Sequence, residues 1–99
     1  MHSFAYKNGT LYCENVNLQE LADKEGTPLY VYSKQTILNH FHRLREALAP
    51  LNAEVAYAVK ASSNIAILNL MARNGAGFDI VSGGELFRVL KAGGDPSKC

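Results

Sequence analysis

The chain has 99 residues, 47% of them hydrophobic and 19% charged, with a formal net charge of +1. That composition belongs to a globular domain, or a piece of one, and excludes a disordered tail. The scattered basic residues give no electrostatic footprint for nucleic acid, and the apolar runs fall well short of the roughly 20 residues that span a bilayer.

In chain order, Ser3 to Lys7 and Thr10 to Glu14 read as two strands joined by Asn8-Gly9. This dipeptide is a strong hairpin signal, because both residues tolerate positive φ. The opening residues lack a continuous apolar core and do not read as a signal peptide. Asn17, with Glu20 three residues on, predicts a capped helix carrying Leu18, Leu21 and Ala22 on one side, ended by Gly26 and Pro28.

From Pro28 the pattern repeats. Leu29-Tyr30-Val31-Tyr32 reads as a strand, followed by a helix that Ser33 caps and Pro50 stops, with Ile37, Phe41, Leu44 and Leu48 on its buried face. A second strand over Glu54 to Val59 precedes a helix from Ile65 to Asn74, closed by Gly75. A third strand over Phe78 to Val81 precedes a helix from Glu85 to Ala92. Gly93-Gly94 and Asp95-Pro96 then turn the chain toward another strand.

Three strand–helix units in series predict an α/β fold with parallel strands and right-handed crossovers. The strands are apolar on both faces, as in a sheet covered by helices. A doubly wound sheet and the opening of a β/α barrel both fit. A closed eight-unit barrel takes ~250 residues, so this chain would supply about three of its units.

Lys60 is the first candidate for chemistry, because it ends a strand and β/α barrels place their chemistry at the carboxyl ends of strands. Two readings stand side by side: an ammonium in water, or an amine that attacks a carbonyl. The second needs a neutral amine, hence a desolvated or cationic setting, toward which the run from Val55 to Val59 would contribute. Asp79 likewise reads either as a solvated or amide-binding strand residue, or as an acid beside a reactive centre. Ser82-Gly83-Gly84-Glu85 reads as a strand-to-helix turn that needs glycine, or as amides able to cradle an anion, with Glu85 as a helix-start acid.

The remaining candidates carry little. His2, His40 and His42 have no Cys, Asp or Glu completing a zinc pattern. Cys13 and Cys99 lack metal or CxxC spacing and read as reduced thiols, which favours the cytosol. Tyr30 and Tyr32 read as packing residues of a core or interface rather than as stacking platforms for bases.

Tyr57-Ala58-Val59-Lys60-Ala61, continued by Ile67, Leu68, Met71 and Gly75, resembles the cofactor-lysine region of the fold-type III pyridoxal-phosphate decarboxylases. Gly77-Phe78-Asp79-Ile80-Val81 and Ser82-Gly83-Gly84-Glu85-Leu86 extend the resemblance, most closely to the branch acting on diaminopimelate. Ser62 departs from it, standing where asparagine or another larger residue is common.

The resemblance implies the N-terminal part of a pyridoxal-phosphate-binding (β/α)8 barrel of the alanine racemase type. Residues 1–27, a hairpin and helix, would join a separate β domain, and residues 28–99 would form the first three β/α units. Lys60 would hold pyridoxal 5'-phosphate as a Schiff base and move a proton after decarboxylation. Asp79 would sit beside the cofactor and favour the protonated imine, and Ala58 would also line it. The main phosphate-gripping glycines, the acid facing the pyridine nitrogen and the substrate segments are implied to lie beyond Cys99, so Gly83 and Gly84 receive no phosphate role.

The implied reaction removes carbon dioxide from meso-diaminopimelate to give L-lysine. The implied setting is a cytoplasmic homodimer, each active site completed by the partner subunit, with a small-molecule amino-acid substrate and neither nucleic acid nor membrane as partner. Two alternatives remain: a non-catalytic partial barrel acting as a self-association module, and a decarboxylase for arginine or carboxynorspermidine.

Overall fold

Asn8 and Gly9 both adopt positive φ, 52° and 81°, as a two-residue I′ hairpin turn requires. The turn sets the register of β1 (Phe4–Lys7) on β2 (Thr10–Cys13), with Phe4 opposite Cys13 and Lys7 opposite Thr10. The computed structural model describes residues 1–99, which form two compact units, Met1–Arg43 and Leu44–Cys99.

In the first unit a short β3 (Val16–Asn17) adds antiparallel to β2, an element the sequence pattern does not suggest. Glu14, at φ 56°, makes the turn between them. Helix α1 (Leu18–Glu25) starts where expected, with the Asn17 side chain accepting from the Glu20 N–H, and Gly26 at φ 85° ends it. A cap of this kind contributes about 1 kcal/mol.

Leu29–Tyr32 forms no ladder in either sheet, which corrects the expectation of a strand there. Extended backbone counts as a strand only when a neighbour takes its hydrogen bonds, and these residues have none. Tyr30 is 85% exposed and Tyr32 56%, so neither packs in a core within the chain.

Helix α2 (Lys34–Leu48) begins with the Ser33 hydroxyl accepting from the Thr36 N–H at 3.0 Å. Its first turn is tied to the hairpin. The Glu14 carboxylate accepts from the Ser33 hydroxyl at 2.8 Å and the Gln35 N–H at 3.1 Å, and Thr36 Oγ1 accepts from the Ser3 N–H at 2.9 Å. These donors hold the Glu14 carboxyl below its ordinary range, the Gln35 amide contributing most. Of the predicted buried face, Phe41 is buried, Ile37 and Leu48 are partly covered and Leu44 is exposed. The helix stops at Leu48, and Pro50 lies in a 3-10 turn.

The second unit is built on a βαβ arrangement. Strands β4 (Ala56–Ala58) and β5 (Gly77–Asp79) pair in parallel, with α3 (Ile65–Arg73) between them in sequence. Both strands are shorter than predicted, for the same reason as above: each has one neighbour, and Glu54, Val55, Ile80 and Val81 lie outside the ladder. The core holds Val59, Leu68, Met71, Ala76, Phe78, Val89 and Ala92. The Tyr57 and Phe78 rings, cross-strand partners, meet edge-to-face at 6.5 Å, an arrangement their quadrupoles favour.

Helix α4 (Gly83–Lys91) starts two residues earlier than the pattern indicates. Ser82 is the cap, accepting from the Glu85 N–H at 3.1 Å, while Glu85 accepts from the Val81 N–H at 3.0 Å. This reciprocal arrangement resembles a capping box. Gly83 and Gly84 therefore belong to the first helical turn and neither has positive φ, which corrects the reading of a turn that needs glycine. At the other end Gly93, at φ 88°, and Gly94 close the helix, their N–H groups donating to Leu90 and Val89 carbonyls. Gly94 has no room for a side chain: an added Cβ would lie 2.4 Å from Val89 Cγ1.

Candidate active site

The parallel register places Ala58 directly opposite Asp79. Side chains alternate along a strand, and in-register parallel partners share a face. Ala58 and Asp79 therefore lie on one face, while Tyr57 and Phe78 occupy the other. Asp79 is exposed and Ala58 partly covered.

Lys60 follows two residues beyond Ala58. It is not the last residue of a strand, as predicted, but the middle of a 3-10 turn over Val59–Ala61. Val59 is fully buried and serves as the turn's hydrophobic anchor. Lys60 is exposed. The run from Val55 to Val59 therefore does not desolvate the amine, because the side chain that points into the core is its neighbour's.

The residues after Lys60 are fixed in succession. The Tyr57 hydroxyl donates to the Ser62 carbonyl at 3.0 Å, and Arg88 Nη1 donates to the Ser63 carbonyl at 3.3 Å. Asn64 Oδ1 then accepts from the N–H groups of Ala66 at 2.9 Å and Ile67 at 3.3 Å, capping α3. Neither Tyr57 nor Arg88 was singled out for this role by the sequence. The bond to Ser62 uses its backbone, so the unusual side chain at that position does not disturb it.

The structure thus brings Ala58 and Asp79 together by register and holds Lys60 on an adjoining, fastened turn at the carboxyl end of β4. These residues do not desolvate the amine; what they offer a carbonyl compound is access, with Lys60 exposed next to the carboxylate-bearing strand and the small Ala58 opposite the acid. This donor set fits the aldehyde end of pyridoxal phosphate. Glu85 is engaged in capping α4.

Residues 34–99 match the family model described as pyridoxal-dependent decarboxylase, pyridoxal binding domain. The chain is 52% identical over 98 residues to the diaminopimelate decarboxylase of Haemophilus influenzae, covering 99% of this chain and 24% of that protein. A diaminopimelate decarboxylase of Vibrio cholerae is also 52% identical, over 99 residues, again covering 24% of the relative. Among solved structures, a diaminopimelate decarboxylase from M. jannaschii superposes with a TM-score of 0.91 at 37% identity, covering 97% of this chain and 24% of that one. Another from the same organism, in complex with L-lysine, gives 0.87 at 38% identity, covering 92% and 22%. The chain spans about a quarter of the length of these relatives.

Proposed function

We propose a function from one premise: the chain belongs to the pyridoxal-dependent decarboxylases. Within them, these residues supply the lysine-bearing part of a diaminopimelate decarboxylase, which releases carbon dioxide from meso-diaminopimelate and leaves L-lysine. The observation that carries the reading is the Lys60 turn beside the Ala58–Asp79 pair. Relatives about half identical across nearly the whole chain bear that enzyme's name, and one solved relative is complexed with L-lysine.

Lys60 is the residue that would hold pyridoxal phosphate, with Asp79 and Ala58 lining it. The bound pyridoxal ring supplies an electron sink for the pair left behind when carbon dioxide departs. The chain's own residues do the rest. Asp79 would supply a negative charge on the strand paired with β4, and an opposite charge brought close favours the charged form of an imine held by Lys60. Once the substrate's own amine has replaced it on the aldehyde carbon, the freed Lys60 Nζ would return a proton to the decarboxylated carbon. Ala58, opposite Asp79 in the ladder, keeps that face clear of bulk.

The proposal extends to the whole protein: residues 1–27 contributing to a separate β domain, residues 28–99 opening a (β/α)8 barrel, and a cytoplasmic homodimer acting on a small amino acid. No helix here is long and apolar enough to cross a membrane.

Borohydride reduction of the full-length protein loaded with pyridoxal phosphate tests the assignment. The pyridoxyl group is expected on the peptide containing Lys60. Its recovery solely on another lysine would overturn the reading.

A further inference from the structure

We infer that Tyr57 and Arg88 are positioning residues for Lys60, acting through the two backbone carbonyls that follow its turn. The inference rests on Lys60 being the cofactor lysine and goes beyond it by naming what aims the amine. Five residues separate Tyr57 from the carbonyl it holds, and twenty-five separate Arg88 from its own. The turn is therefore fastened from two directions: from the strand that leads into Lys60, and from the helix that follows Asp79.

The geometry leaves the lysine few backbone freedoms. Val59 is anchored in the core on one side. On the other, Ser62 and Ser63 are held by their carbonyls, and Asn64 is committed to capping α3. Between these anchors lie Lys60 and Ala61, both exposed. Hydrogen bonds, not burial, hold the backbone from which the amine is presented. A reacting group displaced by about 1 Å loses rate steeply, so such fastening acts on catalysis more than on global stability.

Arg88 adds a link between the two halves of the site. It lies on the helix capped by Ser82, three residues after Asp79, so its bond to Ser63 couples the helix that follows the acid to the loop that follows the amine. Arginine suits this reach, because its planar donors hold their direction better than an ammonium on a flexible stem.

The test uses Tyr57→Phe and Arg88→Met in the full-length protein. Tyr57→Phe removes only the hydroxyl and leaves the ring against Phe78. In the protein without cofactor, amide exchange of the peptide spanning 59–64 is expected to quicken by about two- to tenfold, the range one ordinary hydrogen bond supplies, with peptides of α3 and β5 unchanged. In the loaded protein, the pH titration of the cofactor's visible absorbance is expected to shift. The kcat should fall about two- to tenfold with a smaller change in KM, and Arg88→Lys should recover part of the loss. Exchange and titration superimposable on wild type would overturn the inference. So would a lowered thermal midpoint with an unmoved titration, which marks a purely structural role. If borohydride fails to label Lys60 in the wild type while the exchange result stands, the cofactor assignment has failed and the fastening of the turn has not.

Discussion

Replacing Gly94 by alanine places a methyl group in space that is already filled. An added Cβ would lie 2.4 Å from Val89 Cγ1, 3.0 Å from the Val89 carbonyl oxygen and 3.1 Å from Phe78 Cε2. Val89 and Phe78 are among the most deeply buried side chains of the unit, so neither can swing into solvent. Overpacking a closed core costs typically 1–3 kcal/mol, and with rigid neighbours on more than one side we expect about 3. Gly94 does not occupy the positive-φ region, so this cost is steric and not conformational. Gly75→Ala separates the two effects. At φ 87° its only close neighbour is the flexible end of Arg45, and the left-handed backbone alone predicts about 1–2 kcal/mol. Thermal unfolding of the full-length variants measures both. At roughly 2–4 °C per kcal/mol, Gly94→Ala should lower the midpoint by about 6 °C or more, and Gly75→Ala by less. A Gly94→Ala midpoint within about 1 °C of wild type would refute the claim that Val89 and Phe78 close this space.

Three further outcomes follow. Asp79→Asn should lower the pH at which the pyridoxal absorbance of the full-length protein titrates, by about one unit or 1.4 kcal/mol, and slow turnover; an unchanged titration would return Asp79 to a surface role. Glu14 has its folded pKa depressed, so its contribution is present above the unfolded value near 4.5 and is lost as pH falls through the folded one. Glu14→Gln should therefore flatten the acid limb of the thermal-midpoint profile below about pH 5, and an acid limb identical to wild type would contradict it. The 99 residues alone should self-associate without decarboxylating diaminopimelate, because β4 and β5 have open edges and Phe87 is 64% exposed with Leu90 47% exposed on the same helix. Light scattering across a concentration series and carbon dioxide release on the same sample check both halves, and an active monomer would refute them.

Features governed by neighbours in sequence were legible. Asn8-Gly9, Asn17, Gly26, Ser33, Pro50 and Gly75 act through local backbone sterics or a single nearby N–H, and each turned, started or ended an element where expected. Strand lengths were not, because a ladder exists only where a partner lies alongside; Leu29–Tyr32 and Ile80–Val81 have strand-like composition and no ladder partner here, and Val55 contributes only its carbonyl, to the Gly77 N–H. The Ser82 cap was not read, because the two consecutive glycines after it suggested a turn and not the first turn of a helix. Lys60 and Asp79 stood out as candidates by motif, whereas the bonds of Tyr57 and Arg88 to the Ser62 and Ser63 carbonyls depend on how strand and helix dock. The tie from Glu14 to Ser33 spans nineteen residues and left no local trace.

The two fastenings of the lysine turn also differ in when they can form. Tyr57 reaches a carbonyl five residues ahead, so that bond closes a short loop and is available once Ser62 has left the ribosome. Arg88 closes a loop of twenty-five residues, and closure entropy rises with loop length. It must wait for α3, β5 and most of α4 to be synthesised and docked. The loop after Lys60 therefore gains its second fastening only with α4, later in the chain than its first.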